Sequence, residues 1–170
     1  MNGTTHLAVG AAIGAWYVTV PPDLWVNDYA LRPDTLPAKL ALVAVCMVGS
    51  LLPDIDHARS LISQRVGPVG WVVRLFMSHR GLTHTFLFGG LITLGLSIVH
   101  PQLAGVFAMG YLSHLVLDML TPAGVRLYYP VFDTSFVLAP RRVLGVMKPA
   151  LELCLLLGAI MLIGVSLWQS

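Results

Sequence analysis

Residues 102–120 read QLAGVFAMGYLSHLVLDML. Only His114 and Asp118 interrupt an otherwise uncharged, largely apolar run, which ends at Thr121-Pro122. A helix needs about 20 predominantly apolar residues to cross the hydrocarbon core of a bilayer, and this stretch has that length. Four more runs resemble it: Thr5 to Val20; Leu36 to Leu52, ending at Pro53; Thr83 to Val99, ending at His100-Pro101; and Pro149 to Trp168. The whole chain is 56% hydrophobic and 11% charged, with mean hydropathy +0.80. Soluble domains are typically about 45–50% apolar and about 25% charged. Too few charges remain to solvate a globular surface, so lipid is the expected solvent. The expected fold is all-α: a polytopic membrane helix bundle of about five transmembrane segments, in one integral-membrane domain over residues 1–170.

The connections are uneven. Residues 21–35 and 53–82 and 121–148 are read as loops, and the apolar stretch Trp71 to Met77 within the second as a short interfacial or re-entrant helix. If the five segments alternate, the N-terminus and the two long loops share a side. That side holds Arg59, Arg65, Arg74, Arg80, Arg126, Arg141, Arg142 and Lys148, eight of the ten basic residues, against Arg32 and Lys39 opposite. The positive-inside rule then places the N-terminus and both long loops in the cytoplasm. The start of the chain has no basic n-region, so no cleaved signal peptide is expected. Cys46 and Cys154 both lie in apolar runs and read as small buried hydrophobes rather than as a disulfide or zinc knuckle. The net charge of +2 gives no footprint for nucleic acid.

The same alternation gathers the ionisable residues. His6 opens the first segment; Asp54, Asp56 and His57 follow the second; His79 and His84 precede and open the third; His114 and Asp118 close the fourth. These eight come to one membrane depth from four helix ends, and only His100 falls opposite. Ionisable groups at membrane depth are costly and mark functional sites, and a bound cation would offset that cost. His114 and Asp118 are i and i+4, on one helical face. Asp54 and Asp56 flank Ile55, and in an extended turn would point to one side. Gly81 permits a sharp turn between the two imidazoles of His79 and His84, and Thr83 is read as a cap of the third segment. Imidazole and carboxylate suit Zn²⁺, and also Mn²⁺ or Fe²⁺. Eight candidates exceed one tetrahedral shell, so either two ions bind or some residues support the ligands. Asp56 is a ligand or the base for water, and Arg80 is placed to neutralise charge on a phosphate. The glycines of the first and third segments are read as helix packing, and Glu152 as an i+4 partner of Lys148.

Three stretches together carry a family resemblance: Leu51-Leu52-Pro53-Asp54-Ile55-Asp56-His57, His79-Arg80-Gly81-Leu82-Thr83-His84-Thr85, and Gly110 through Val125. They resemble the YdjM-like family, bacterial and archaeal inner-membrane proteins described as LexA-regulated, membrane-bound, metal-dependent hydrolases. The resemblance runs from about residue 5 to about 132, and Thr5-His6 fits it. It matches His6, Asp54, Asp56, His79, His84, His114 and Asp118, with His57 more variable. It implies a metal-dependent hydrolase of phospholipase C-like type acting on a phosphoester, with membrane lipids as neighbours and a lipid or lipid-linked phosphate as substrate. The family name implies regulation within the SOS response. Two other functions fit the residues: binding or transport of a divalent metal, and a membrane scaffold or regulator in which metal holds the helix ends together.

Overall fold

A computed structural model describes residues 1–19, 35–57, 60–66 and 81–168. The Trp71 to Met77 segment, His79 and Arg80 lie outside these residues. Among the described residues the chain is all-α. It forms α1 (Gly3–Thr19), α2 (Leu36–Leu51), α3 (Leu61–Val66), α4 (Phe86–Val99), α5 (Pro101–Met119) and α6 (Arg141–Trp168). Two 3-10 turns, Leu52–Asp56 and Leu82–His84, precede α3 and α4. A single bridge between Val125 and Phe136 ties down the segment before α6.

α2 and α5 form the central pair. α1 packs on both and on α6, and α4 packs on α5. Close approach of the central pair depends on Gly110, where a Cβ would collide with the Cys46 carbonyl and crowd the Ser50 amide. The core is built along this seam, from Phe107, Tyr111 and Leu115 of α5 with Val125 and Leu127, and from Leu42 and Cys46 of α2 with Val106. Small residues at helix crossings are the usual device for membrane bundles, where lipid is as apolar as the core. The glycines of α1 fit that role, since Gly10 and Gly14 abut Ser50 and Val43 of α2.

Among the described residues, two stretches are long and apolar enough to cross a membrane: Leu36–Asp56, of 21 residues, and Arg142–Val165, of 24; α4 is a shorter apolar helix. α6 exposes Val146, Leu153, Leu157, Ile160 and Met161. A contiguous apolar face of this kind on a monomer needs lipid or a partner to cover it.

Three expectations change. Residues 61–66 and 141–148, both read within loops, are helix. α6 starts directly after Pro140, whose carbonyl accepts from Leu144 N at 3.1 Å, and it runs through Pro149. Proline disfavours helix in the residue before it, which made Pro149 look like the start. Glu152 receives Asn2, at 3.2 Å from its backbone N–H and 3.0 Å from its amide, joining α6 to the start of α1. Cys46 is buried as expected, but Cys154 faces outward.

Candidate metal centre

Four chain segments converge at one end of the bundle: the start of α1, the 3-10 turn after α2, the 3-10 turn before α4, and the end of α5. His6, Asp54, His84, His114 and Asp118 meet there. His6, His84 and His114 are wholly buried, and Asp118 is 2% exposed.

The geometry begins with α5. Tyr111, His114 and Asp118 fall at i, i+3 and i+7, one face of the helix. Facing them is the end of α2, where Pro53 has no N–H to give. The Ser50 carbonyl therefore lacks the i+3 partner that a 3-10 turn would supply. His114 Nδ1 takes that place at 2.7 Å. A carbonyl only accepts, so Nδ1 carries the proton and the neutral ring turns its Nε2 lone pair inward.

His84 is set in the same way by a longer relay. The Thr83 hydroxyl donates to Asp56 Oδ2 at 2.9 Å and lies 3.1 Å from His84 Nδ1. Having given its proton to the carboxylate, that hydroxyl accepts from Nδ1–H, which again leaves Nε2 as the inward lone pair. The turn itself is gripped by Tyr111, whose hydroxyl lies 2.8 Å from the Thr83 carbonyl and 2.7 Å from that of Thr85. Gly89 lets the phenol lie against α4, since a Cβ there would strike its ring. The cap of α4 is Thr85, which accepts from Phe88 N at 3.1 Å; Thr83, expected in that role, points to Asp56 instead.

The two Nε2 atoms lie 3.3 Å apart. Asp54 Oδ1 is 3.6 Å from His84 Nε2 and 3.9 Å from His114 Nε2. Asp118 Oδ2 is 3.7 and 3.8 Å from the same two atoms. Tetrahedral zinc with bonds of about 2.0–2.1 Å places its donors about 3.3–3.4 Å apart, so this ring of donors is close to the required size. His6 stacks on His114 with ring centroids 3.9 Å apart. Its Nε2 lies 3.3 Å from Asp118 Oδ1 without making a hydrogen bond to it, and that oxygen accepts from the Met1 ammonium at 2.7 Å. Neither His6 ring nitrogen finds a hydrogen-bond partner among the described residues. A buried imidazole with both nitrogens unsatisfied is costly, and ligation would satisfy one of them. Two sets, His6 with Asp54 and His114, and His84 with His114 and Asp118, have spacing that can hold a metal ion. The donor types, their spacing, the fixed tautomers and the orphaned His6 all fit a divalent cation.

Asp56 and His57 fall outside both sets. Residues i and i+2 of a 3-10 helix lie about 120° apart around its axis, so Asp54 and Asp56 diverge instead of pointing together. Asp54 faces the imidazoles, and Asp56 braces Thr83. His57 ends the turn, its backbone N–H donating to the Asp54 carbonyl at 3.0 Å. His100 caps α5 through Nδ1, 3.3 Å from Gln102 N. Sequence reasoning missed Ser50 and the clamp made by Tyr111. The i, i+3, i+7 stripe on α5 was the available signal for the latter.

The fold and this centre define a class: a helical membrane protein with a buried histidine–aspartate site that can hold metal. The chain belongs to the YdjM inner membrane protein family, which it matches over residues 1–169. It is 39% identical over 97 residues to the inner membrane protein YdjM of Escherichia coli strain K12, covering 52% of this chain and 49% of that protein. The YdjM protein of Shigella flexneri matches to the same extent. Thus the match spans about half the length of these relatives. The uncharacterized protein YvsG of Bacillus subtilis strain 168 is 30% identical over 135 residues, 76% of this chain and 74% of its own. No solved structure matches the chain.

Proposed function

We propose that this protein is a metal-dependent hydrolase of the inner membrane that cleaves a phosphoester, on a lipid or lipid-linked phosphate, at the cytoplasmic face. In this reading five apolar segments span the bilayer, and the basic residues near the site end orient that end inward. The observation that carries the proposal is the pair of Nε2 lone pairs, 3.3 Å apart and flanked by two carboxylates. Such an arrangement is repulsive unless a cation or a proton lies between the rings.

When bound, a divalent ion such as zinc supplies Lewis acidity towards a phosphoryl oxygen and acidifies water. His84, His114, Asp54 and Asp118 would hold it, with His6 as a further ligand or as part of a second position. Asp54, whose side chain is 16% exposed, is the most open of the group and is placed to accept a proton from water. Asp56 and Thr83 orient His84 from behind, and Tyr111 holds its turn. Arg80, which lies outside the described residues, is the candidate the sequence offers to neutralise the phosphate. The test is metal content together with hydrolysis of phosphomonoesters and phosphodiesters, lipid substrates included, by metal-replete protein in lipid. Full occupancy without cleavage of any of them ends this reading.

The near-complete burial of His6, His84, His114 and Asp118 favours a second reading, in which metal staples the helix ends of a scaffold. Chelation would then unfold the bundle, and the metal-replete protein would cleave nothing.

A further inference from the structure

An open apolar groove of about 450 Å³ runs between α4 and α5 on the outside of the bundle. This is within the usual size of a ligand site, about 300–1,000 Å³. Phe86, Gly90, Leu94 and Ser97 line it along α4, and Ala108 and Tyr111 along α5. From Phe86 to Ser97 the helix rises about 16 Å. Half of a hydrocarbon core about 30 Å thick is about 15 Å. The groove is therefore as long as one leaflet is deep, which is the reach of one acyl chain. Gly90 borders open space, since a Cβ there would meet nothing within 4 Å, so a larger side chain has room to enter the groove.

The two ends differ. At the Phe86 end stands Tyr111, whose ring lines the groove while its hydroxyl binds the carbonyls either side of His84. Phe86 meets Tyr128 edge-on at 5.6 Å, and Tyr128 meets Phe136 at 5.6 Å. Tyr128 is half exposed, and aromatic rings of this kind favour the head-group level. At the other end the Ser97 hydroxyl is spent on its own helix, at 2.7 Å from the Leu94 carbonyl. One end thus adjoins the turn that carries His84, through Tyr111, and the other lies away from the metal centre.

We infer that this groove binds one acyl chain of a phosphate-bearing lipid, tail towards Ser97 and head towards the His84 turn. The inference rests on the phosphoester reading of the centre and narrows its substrate to an acylated one. The chain is held by burial of methylenes against α4 and α5, and Tyr111 couples its head end to the site.

The experiment uses detergent-purified full-length protein and a single-chain alkylphosphonate with a diazirine near its tail. A phosphonate has no ester to cleave, so binding is read without turnover. Wild type is compared with Gly90→Leu, which fills the groove, and with Gly95→Leu. Gly95 also has open space around it but does not line the groove, so the pair separates filling from folding. The expected result is saturable labelling of Leu94 and Ala108, abolished by unlabelled phosphonate. It should weaken on the order of tenfold or more in Gly90→Leu, because a leucine displaces several methylenes at about 0.8 kcal/mol each, and be unchanged in Gly95→Leu. Labelling that never saturates and spreads equally over α6, or that survives Gly90→Leu, overturns the proposal. Saturable labelling without hydrolysis of any phosphoester upholds the groove and removes the hydrolase reading; hydrolysis with unsaturable labelling does the reverse.

Discussion

His84 Nε2 and His114 Nε2 face each other at 3.3 Å, and each ring has committed its other nitrogen elsewhere, His84 to Thr83 and His114 to the Ser50 carbonyl. The protein thus holds two neutral imidazoles with lone pairs converging beside Asp54 and Asp118. Each ring reaches this position from a different segment, so the convergence is a property of the fold and not of a local motif.

Replacing both rings removes the nitrogen donors and leaves the carboxylates without a soft partner. The His84→Ala, His114→Ala double variant is expected to lose the metal that elemental analysis finds in wild type. Single alanines should lower affinity and leave residual binding through the remaining donors. Wild-type occupancy retained by the double variant would place the metal elsewhere.

Thr83→Val keeps shape and deletes the hydroxyl between Asp56 and His84. Loss of such an outer partner typically lowers metal affinity about 10–100-fold. Asp56→Asn should act through the same relay, so the effects should not add in the double variant. Competition with a fluorescent chelator measures this. Additive losses would mean that Asp56 touches the metal directly, as the sequence alone suggested.

That contrast shows where sequence reading stops. His114 and Asp118 were legible because helical periodicity places i and i+4 together once the segment is known to be helix. Asp54 and Asp56 were not, because nothing in Leu52–Asp56 distinguishes an extended turn from the 3-10 turn that sends them apart. Four of the helices were legible from apolar runs, but α6 was entered eight residues late, since Arg141, Arg142 and Lys148 read as loop charges and Pro149 as a boundary. The supporting bonds of Ser50, Thr83 and Tyr111 depend on contacts between distant segments, which no spacing reports.

Tyr111→Phe removes one hydroxyl that serves two carbonyls, Thr83 and Thr85. Leaving a buried acceptor unsatisfied costs about 1–3 kcal/mol. The variant is expected to unfold at lower temperature in detergent and to bind metal less tightly, because the turn carrying His84 loosens. Unchanged metal affinity with lowered stability would assign Tyr111 to packing alone.

Gly110→Ala and Gly95→Ala make the same chemical change in opposite surroundings. At Gly110 the new methyl would meet the Cys46 carbonyl, forcing α2 from α5 and pulling Ser50 from His114; overpacking of this kind costs about 1–3 kcal/mol. At Gly95 it meets nothing within 4 Å, and alanine should be neutral or favourable by up to about 1 kcal/mol. Yield and thermal stability in detergent should fall for the first and hold for the second, with metal content following the same order.

Removal of metal tests the centre as a unit. The donors come from α1, the turn after α2, the turn before α4, and α5, so an ion joining them ties four segments of the bundle. Binding only to the folded state stabilises it by about 4 kcal/mol when the free ion is at a thousand times its Kd. Chelation is therefore expected to lower the unfolding temperature, and zinc, manganese or iron returned in turn should restore it, the most effective ion identifying the one the donors select. Imidazole and carboxylate bind metal only when deprotonated, so acidification must act in the same direction as the chelator. If chelation strips the metal while the unfolding temperature holds and hydrolysis stops, the ion is catalytic and the hydrogen bonds of Ser50, Thr83 and Tyr111 suffice to keep the site assembled. If the bundle unfolds and no phosphoester is cleaved by the metal-replete protein, the ion is a staple.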